Sequence, residues 1–131
     1  MNKFMVDLTA INPVDRQRRT VPIEVMVDTG AEVSWLPRKA LEDIGIANKK
    51  KEQFETADNR LIERDIGYAI LTAEGYTTND EVVFAEESDM NLLGVRTVEG
   101  FKVVDNIGQR FIALSAVPYP VNRALTPPKK G

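Results

Sequence analysis

Val25-Met26-Val27-Asp28-Thr29-Gly30-Ala31-Glu32-Val33-Ser34-Trp35-Leu36-Pro37 is the stretch whose reading decides the fold. An apolar, largely β-branched run stops at Asp28-Thr29-Gly30, and a second apolar run begins at once. That pattern reads as a strand, a tight glycine turn and another strand. An acid sits at the bend. A carboxylate at the end of an apolar strand is costly to bury unless it is hydrogen-bonded or chemically employed, and Gly30 lets backbone come close to whatever lies beside it.

Composition narrows the chemistry open to that acid. The chain has 131 residues, enough for one domain that buries roughly two thirds of the surface its unfolded form exposes. With 43% hydrophobic and 28% charged residues it has the make-up of a globular protein, and a formal net charge of -3 argues against a general nucleic-acid binder. Cysteine and histidine are both absent. Disulfides, zinc-thiolate sites and cysteine nucleophiles are therefore excluded, and so is the usual base of a serine or cysteine hydrolase, which leaves carboxylates, Lys or Tyr to move protons. Met1-Asn2-Lys3-Phe4 opens no apolar core of signal-peptide length, and no apolar run of about 18 residues occurs, so the expectation is a cytoplasmic protein with no membrane partner.

Outward from the central stretch, Phe4, Val6 and Leu8 alternate as one face of a first strand, and Asn12-Pro13-Val14-Asp15 is turn chemistry. Arg16, Arg18 and Arg19 read as a solvated hairpin edge. Val21, Ile23, Val25 and Val27 recur at period two and lead into Asp28. After Leu36, the segment from Pro37 to Ile46 predicts a short helix with proline in its first turn, Gly45 as its stop, and Leu41 and Ile44 on one face. Lys49-Lys50-Lys51 reads as a solvated connector.

Phe54 to Ile62 reads as a hairpin with a two-residue turn, Asn59 being able to take a positive φ. A second hairpin is expected from Ile66 to Ala73 and Tyr76 to Ala85 around Glu74-Gly75. Asp80, Glu81, Glu86, Glu87 and Asp89 form an acidic set without the ligand spacing or turn glycine of a calcium loop, so no metal is expected there. Leu92-Leu93-Gly94 predicts a buried strand meeting a helix over Val95 to Gly100. A final hairpin is expected from Phe101 to Asp105 and Gln109 to Leu114, turning at Asn106-Ile107-Gly108. Domain boundaries fall accordingly at 1–115, followed by an extended tail over 116–131 carrying Pro118, Pro120, Pro127, Pro128 and Lys129-Lys130-Gly131.

Asp28-Thr29-Gly30-Ala31 followed by Ser34 and Leu36, then a hairpin, then Leu92-Leu93-Gly94, resembles the retropepsin-like family of single-domain, retroviral-type aspartic proteases. The resemblance covers residues 4 to 115, with strong identity at the Asp28 and Leu92 segments. It departs at the tip Thr56-Ala57-Asp58-Asn59, where Asn59 stands for the usual glycine, and at Val95-Arg96, which replaces the common continuation of the Leu-Leu-Gly motif. The resemblance implies a mainly β fold, a closed or folded barrel of acid-protease type with one or two short helices.

It also implies a homodimer, because one carboxylate per chain cannot act as both acid and base. Asp28 would be catalytic. Thr29, Gly30 and Ala31 would form the active-site loop, with the Thr29 hydroxyls bonding across the two-fold axis. Glu32, Val33, Ala57, Asp58, Asn59 and Leu92 would meet an extended peptide or protein substrate, with Ile62 and Trp35 as further pocket residues; on its own sequence context Trp35 reads as core. No metal or organic cofactor would be needed. The function so implied is an aspartic endopeptidase, and the alternative is a catalytically silent dimerisation or peptide-binding module on the same fold.

Overall fold

The structure, a computed structural model, describes residues 4–105 and 110–116. The expected turn at Asn106-Ile107-Gly108 and most of the expected tail lie outside the described residues. Among the described residues, nine strands and two short α-helices run in the order β1 (Met5–Ile11), β2 (Ile23–Val27), β3 (Ser34–Pro37), α1 (Arg38–Asp43), β4 (Lys50–Glu55), β5 (Leu61–Ala73), β6 (Tyr76–Ala85), β7 (Leu92–Leu93), α2 (Val95–Phe101), β8 (Val103–Asp105) and β9 (Phe111–Ala113), followed by a 3-10 turn at Leu114–Ala116. The mainly β class with short helices is as expected.

Seven strands form one sheet in the order β1-β2-β7-β3-β6-β5-β4, and β1 also pairs β5. The closure depends on β1 changing partner half-way: Met5 to Leu8 pair β2, whereas Thr9 to Ile11 pair β5. Strands β1, β2, β7, β3, β6 and β5 thus close a ring, and β4 hangs outside it on the outer half of β5.

Alternation sorts the side chains. Val6, Leu8, Val25, Leu36, Leu71, Val82, Phe84 and Leu93 point inward and form the main core with Leu41 and Ile44 from the α1 segment and Val98 and Phe101 from α2. Val33, Ile66 and Val83 face the other way and make a second, smaller cluster against Trp35 and Phe54. This outer cluster gives β4 a surface to lie on.

Local chemistry explains the element ends. Helix α1 stops at Gly45, whose φ is 81°; Ile46 N–H donates to Leu41 O at 3.0 Å and Gly45 N–H to Glu42 O at 2.9 Å, the paired bonds of a Schellman cap. The β5–β6 hairpin turns at Glu74 and Gly75, both at positive φ (55° and 85°), in keeping with a two-residue primed turn.

Several expectations are corrected. Val21 is 77% exposed and precedes β2, which begins at Ile23. Arg18 is exposed, as a solvated edge requires, but it also has a partner: its Nη2 donates to Asp43 O at 3.0 Å beside the Asn12 Nδ2 to Ile44 O bond at 2.8 Å, so the two side chains bind the carbonyl end of α1. Lys50 and Lys51 belong to β4 rather than a connector, because carboxylates lie across from them: Lys50 Nζ is 2.7 Å from Glu81 and Lys51 Nζ 2.6 Å from Asp65. Residues 56–60, not two residues, separate β4 from β5, and Asn59 takes the expected positive φ of 65°. Phe101 ends α2 instead of opening the last hairpin, and its ring packs among Tyr76 and Phe111.

Candidate functional site

Asp28 leaves β2 at the edge of the ring and is fixed by backbone. Its N–H donates to Leu93 O at 2.9 Å, and its own carbonyl accepts Ala31 N–H at 3.0 Å. One carboxylate oxygen, Oδ1, accepts Gly30 N–H at 2.9 Å, which holds the side chain over its own turn. A Cβ at Gly30 would stand 3.2 Å from that oxygen, tighter than ordinary contact, so glycine leaves room for the acid.

The far side of the loop is gripped by the Leu92 segment. Val95 N–H donates to Ala31 O at 2.8 Å and Arg96 N–H to Glu32 O at 3.1 Å. Gly94 packs so closely that a Cβ there would come within 2.5 Å of the Val33 carbonyl group. Beneath the loop, Gly94 N–H donates to Ser34 Oγ at 2.9 Å, Ser34 Oγ lies 2.6 Å from Thr97 Oγ1, and Thr97 Oγ1 donates to Asp80 Oδ2 at 3.1 Å. A carboxylate only accepts, so the protons run one way, from Gly94 through Ser34 and Thr97 to Asp80. Ser34 and Thr97 are fully buried. The relay satisfies two hydroxyls that burial would otherwise penalise, and it ties strand β3, helix α2 and strand β6 under the acid.

Above the loop lies a cleft of about 750 Å³. Asp28, Ala31, Val33, Trp35, Met90 and Leu92 line its floor side, and Phe54, Thr56, Arg60, Ile62 and Arg64 line it from the β4–β5 hairpin. Trp35 is half-buried and meets Phe54 edge-on at 5.0 Å between ring centroids, so it lines the cleft as well as supporting the outer cluster. Of the residues expected at a site, Asp28, Gly30, Ala31, Glu32, Val33, Ala57, Leu92 and Ile62 are brought together here. Thr29, Asp58 and Asn59 do not line the cleft. Thr29 is exposed beside it; Asp58 ties the hairpin tip, accepting from Thr56 Oγ1 and, at 3.0 Å, from Arg60 Nε. The Thr56 hydroxyl and then Arg60 hold the Asp58 carboxyl below its ordinary range.

Sequence reading missed Phe54, Arg60, Arg64, Asp89 and Met90 as cleft residues, and it missed the Thr97–Asp80 support. Alternation from Ile62 would have placed Arg64 on the same face of β5, whereas no local signal pairs Ser34 with a residue 63 positions away.

A second groove, of about 810 Å³, lies on the α1 side of the Glu86–Asp89 turn. Its central cation, Arg38, is held by Asp65 at 2.6 Å, Glu86 at 2.9 Å and Glu42 at 3.3 Å, and stacks over Phe84. That is the geometry of a structural ion network, and it lacks the acid loop. Among the described residues, no cluster of three or more carboxylates is arranged to hold a metal ion.

Residues 15–99 match the family model described as "gag-polyprotein putative aspartyl protease". Among solved structures the chain is similar to simian foamy virus (mac) protease, studied in solution. That likeness has 17% identity and a TM-score of 0.48, and covers 75% of this chain and 92% of the other. No curated protein matches the sequence. The family model spans well over half of the chain, taking in the Asp28 loop, the hairpin above it and the Leu92 segment that grips it, and on that match the chain belongs to the gag-polyprotein aspartyl protease family.

Proposed function

We propose that the protein is an aspartic endopeptidase that works as a homodimer, with Asp28 supplied once by each subunit. The observation that carries this reading is the placement of the Asp28 carboxylate, held by Gly30 N–H on a backbone-fixed loop, in a cleft with an apolar floor and a hairpin above. A peptide in extended form suits such a cleft, since its backbone can pair as an added strand while alternate side chains enter apolar pockets.

One carboxylate per chain is half of the chemistry. With two copies of Asp28 about 3 Å apart, repulsion at an effective dielectric near 20 is about 5 kcal/mol, enough to keep one proton on the pair. The ionised member takes a proton from a water that attacks the scissile carbonyl, and the protonated member donates to the carbonyl oxygen. The exposed Thr29 is free to meet its counterpart across the axis. No cofactor enters the scheme.

The test is incubation of the purified protein with a diverse peptide pool between about pH 4 and 7, beside Asp28→Asn, with the oligomeric state followed by sedimentation. Asp28→Asn keeps shape and hydrogen-bonding capacity but removes the base, so cleavage should vanish while the fold and the dimer persist. Cleavage by Asp28→Asn at the wild-type rate would sink the proposal. The internally bonded hairpin tip favours one other reading, a silent peptide-binding module; binding without cutting, equal in both proteins, would select it.

A further inference from the structure

We propose that the Arg64–Asp89 ion pair is the latch that sets the resting position of the β4–β5 hairpin over the cleft, making both side chains positioning residues for substrate. The kinetic half of this proposal rests on the peptidase reading; the structural half does not.

The hairpin needs such a device because of how it is attached. Strand β5 pairs β6 only from Ile66 onward, so Leu61 to Asp65 are hydrogen-bonded to β4 alone. A two-stranded ribbon is marginal by itself, so its position over the cleft depends on side-chain contacts. Asp65 and Lys50 anchor the base through Arg38 and Glu81. Farther out, Phe54 packs on Trp35 and the outer cluster, and Arg64 pairs with Asp89.

The latch has the geometry of a strong pair. Arg64 Nε donates to Asp89 Oδ2 at 2.7 Å and Nη2 to Oδ1 at 2.9 Å, the two-pronged fit that a guanidinium makes and an ammonium cannot. Asp89 is held ready by its own turn: Oδ2 also accepts Glu86 N–H at 2.8 Å, and Asp89 N–H donates to Glu86 O at 2.9 Å. The side chains are only 15% and 11% exposed, so water screens the pair little and removing one partner strands the other charge. Asp89 directly precedes Met90 and lies three residues before Leu92 of the cleft floor, and Arg64 lies two residues after Ile62 of its roof. The pair therefore joins roof to floor at the edge of the space a peptide would fill.

Amide hydrogen exchange and steady-state cleavage on wild type, Arg64→Ala, Arg64→Lys and Asp89→Asn test this. Exchange of residues 53–63 should quicken about tenfold in Arg64→Ala and Asp89→Asn, less in Arg64→Lys, and in each variant by clearly more than exchange of Val82 to Phe84 in the ring, which follows only the global stability. KM should rise by more than kcat falls, since a loose roof weakens peptide binding before it disturbs the Asp28 loop. Unchanged exchange in residues 53–63 would overturn the latch, and so would a uniform rise across hairpin and ring, which would mark a general structural role. If wild type cuts no peptide, the peptidase reading fails by itself, and the exchange pattern still decides the latch.

Discussion

Gly94→Ala tests how the acid loop is held. The backbone of Gly94 is ordinary, with φ at -88°, so an alanine could adopt it without torsional strain. Space is the obstacle: the new Cβ would lie 2.5 Å from Val33 C, 2.5 Å from Val33 O and 2.9 Å from Val33 N. Ordinary contact begins near 3.5 Å, so the Val33 backbone and the start of α2 must part by about 1 Å. Those are main-chain atoms and cannot swing aside. Parting them stretches the bonds that cross the same gap, Gly94 N–H to Ser34 at 2.9 Å, Val95 N–H to Ala31 at 2.8 Å and Arg96 N–H to Glu32 at 3.1 Å. Overpacking of this kind costs about 1–3 kcal/mol, and weakening two of the bonds adds about 2 kcal/mol. The total is about 3–5 kcal/mol against a domain stability of about 5–15 kcal/mol, or a fall in Tm of roughly 11–18 °C. Urea denaturation followed by the fluorescence of Trp35, the only tryptophan, measures it directly. A Gly94→Ala protein within 1 kcal/mol of wild type would show that the loop yields, and that the close approach is not what fixes Asp28.

Two further outcomes concern the buried polar groups. Ser34→Ala should cost about 1–3 kcal/mol, because it leaves the buried Gly94 N–H without its acceptor; the same urea experiment checks it, and a neutral result would mean the relay from Gly94 to Asp80 is dispensable. The second outcome is in pH. Lys51 first and then Arg38 hold the Asp65 carboxyl below its ordinary range, and Arg64 does the same for Asp89. A depressed carboxyl contributes stability that is complete above its unfolded pKa, about 4, and is lost as pH falls through the lower folded value. Unfolding free energy should therefore hold level from about pH 7 to 5 and drop below about pH 4. Asp89→Asn should be less stable at pH 7 but lose less on acidification; an acid limb as steep as wild type in that variant would remove Asp89 from the account.

Much that matters here is local and could be read from neighbours along the chain. The acid turn at Asp28, the stop of α1 at Gly45, the Glu74-Gly75 hairpin, the positive φ of Asn59 and the start of α2 after Gly94 each depend on a handful of adjacent residues. Period two also separated Val25 from its exposed neighbour Glu24, and so pointed β2 at the core.

Tertiary structure decided the rest. Trp35 looked like core because it follows an apolar strand, yet β3 alternates, and the side of the sheet facing the ring takes Ser34 and Leu36. Its partners Val83 and Phe54 come from strands 48 and 19 residues away, and only their arrival makes the outward face a cleft wall. Lys50 and Lys51 became strand residues because Glu81 and Asp65 met them, and Ser34 became a buried acceptor because Thr97 and Gly94 closed over it. Torsional preferences and turn chemistry act over a few residues, so sequence carries them openly. Which face of a strand meets a core, and which charges meet across a gap, depends on pairings between distant segments, and a slip of one residue in any of those registers would turn every side chain to the other side.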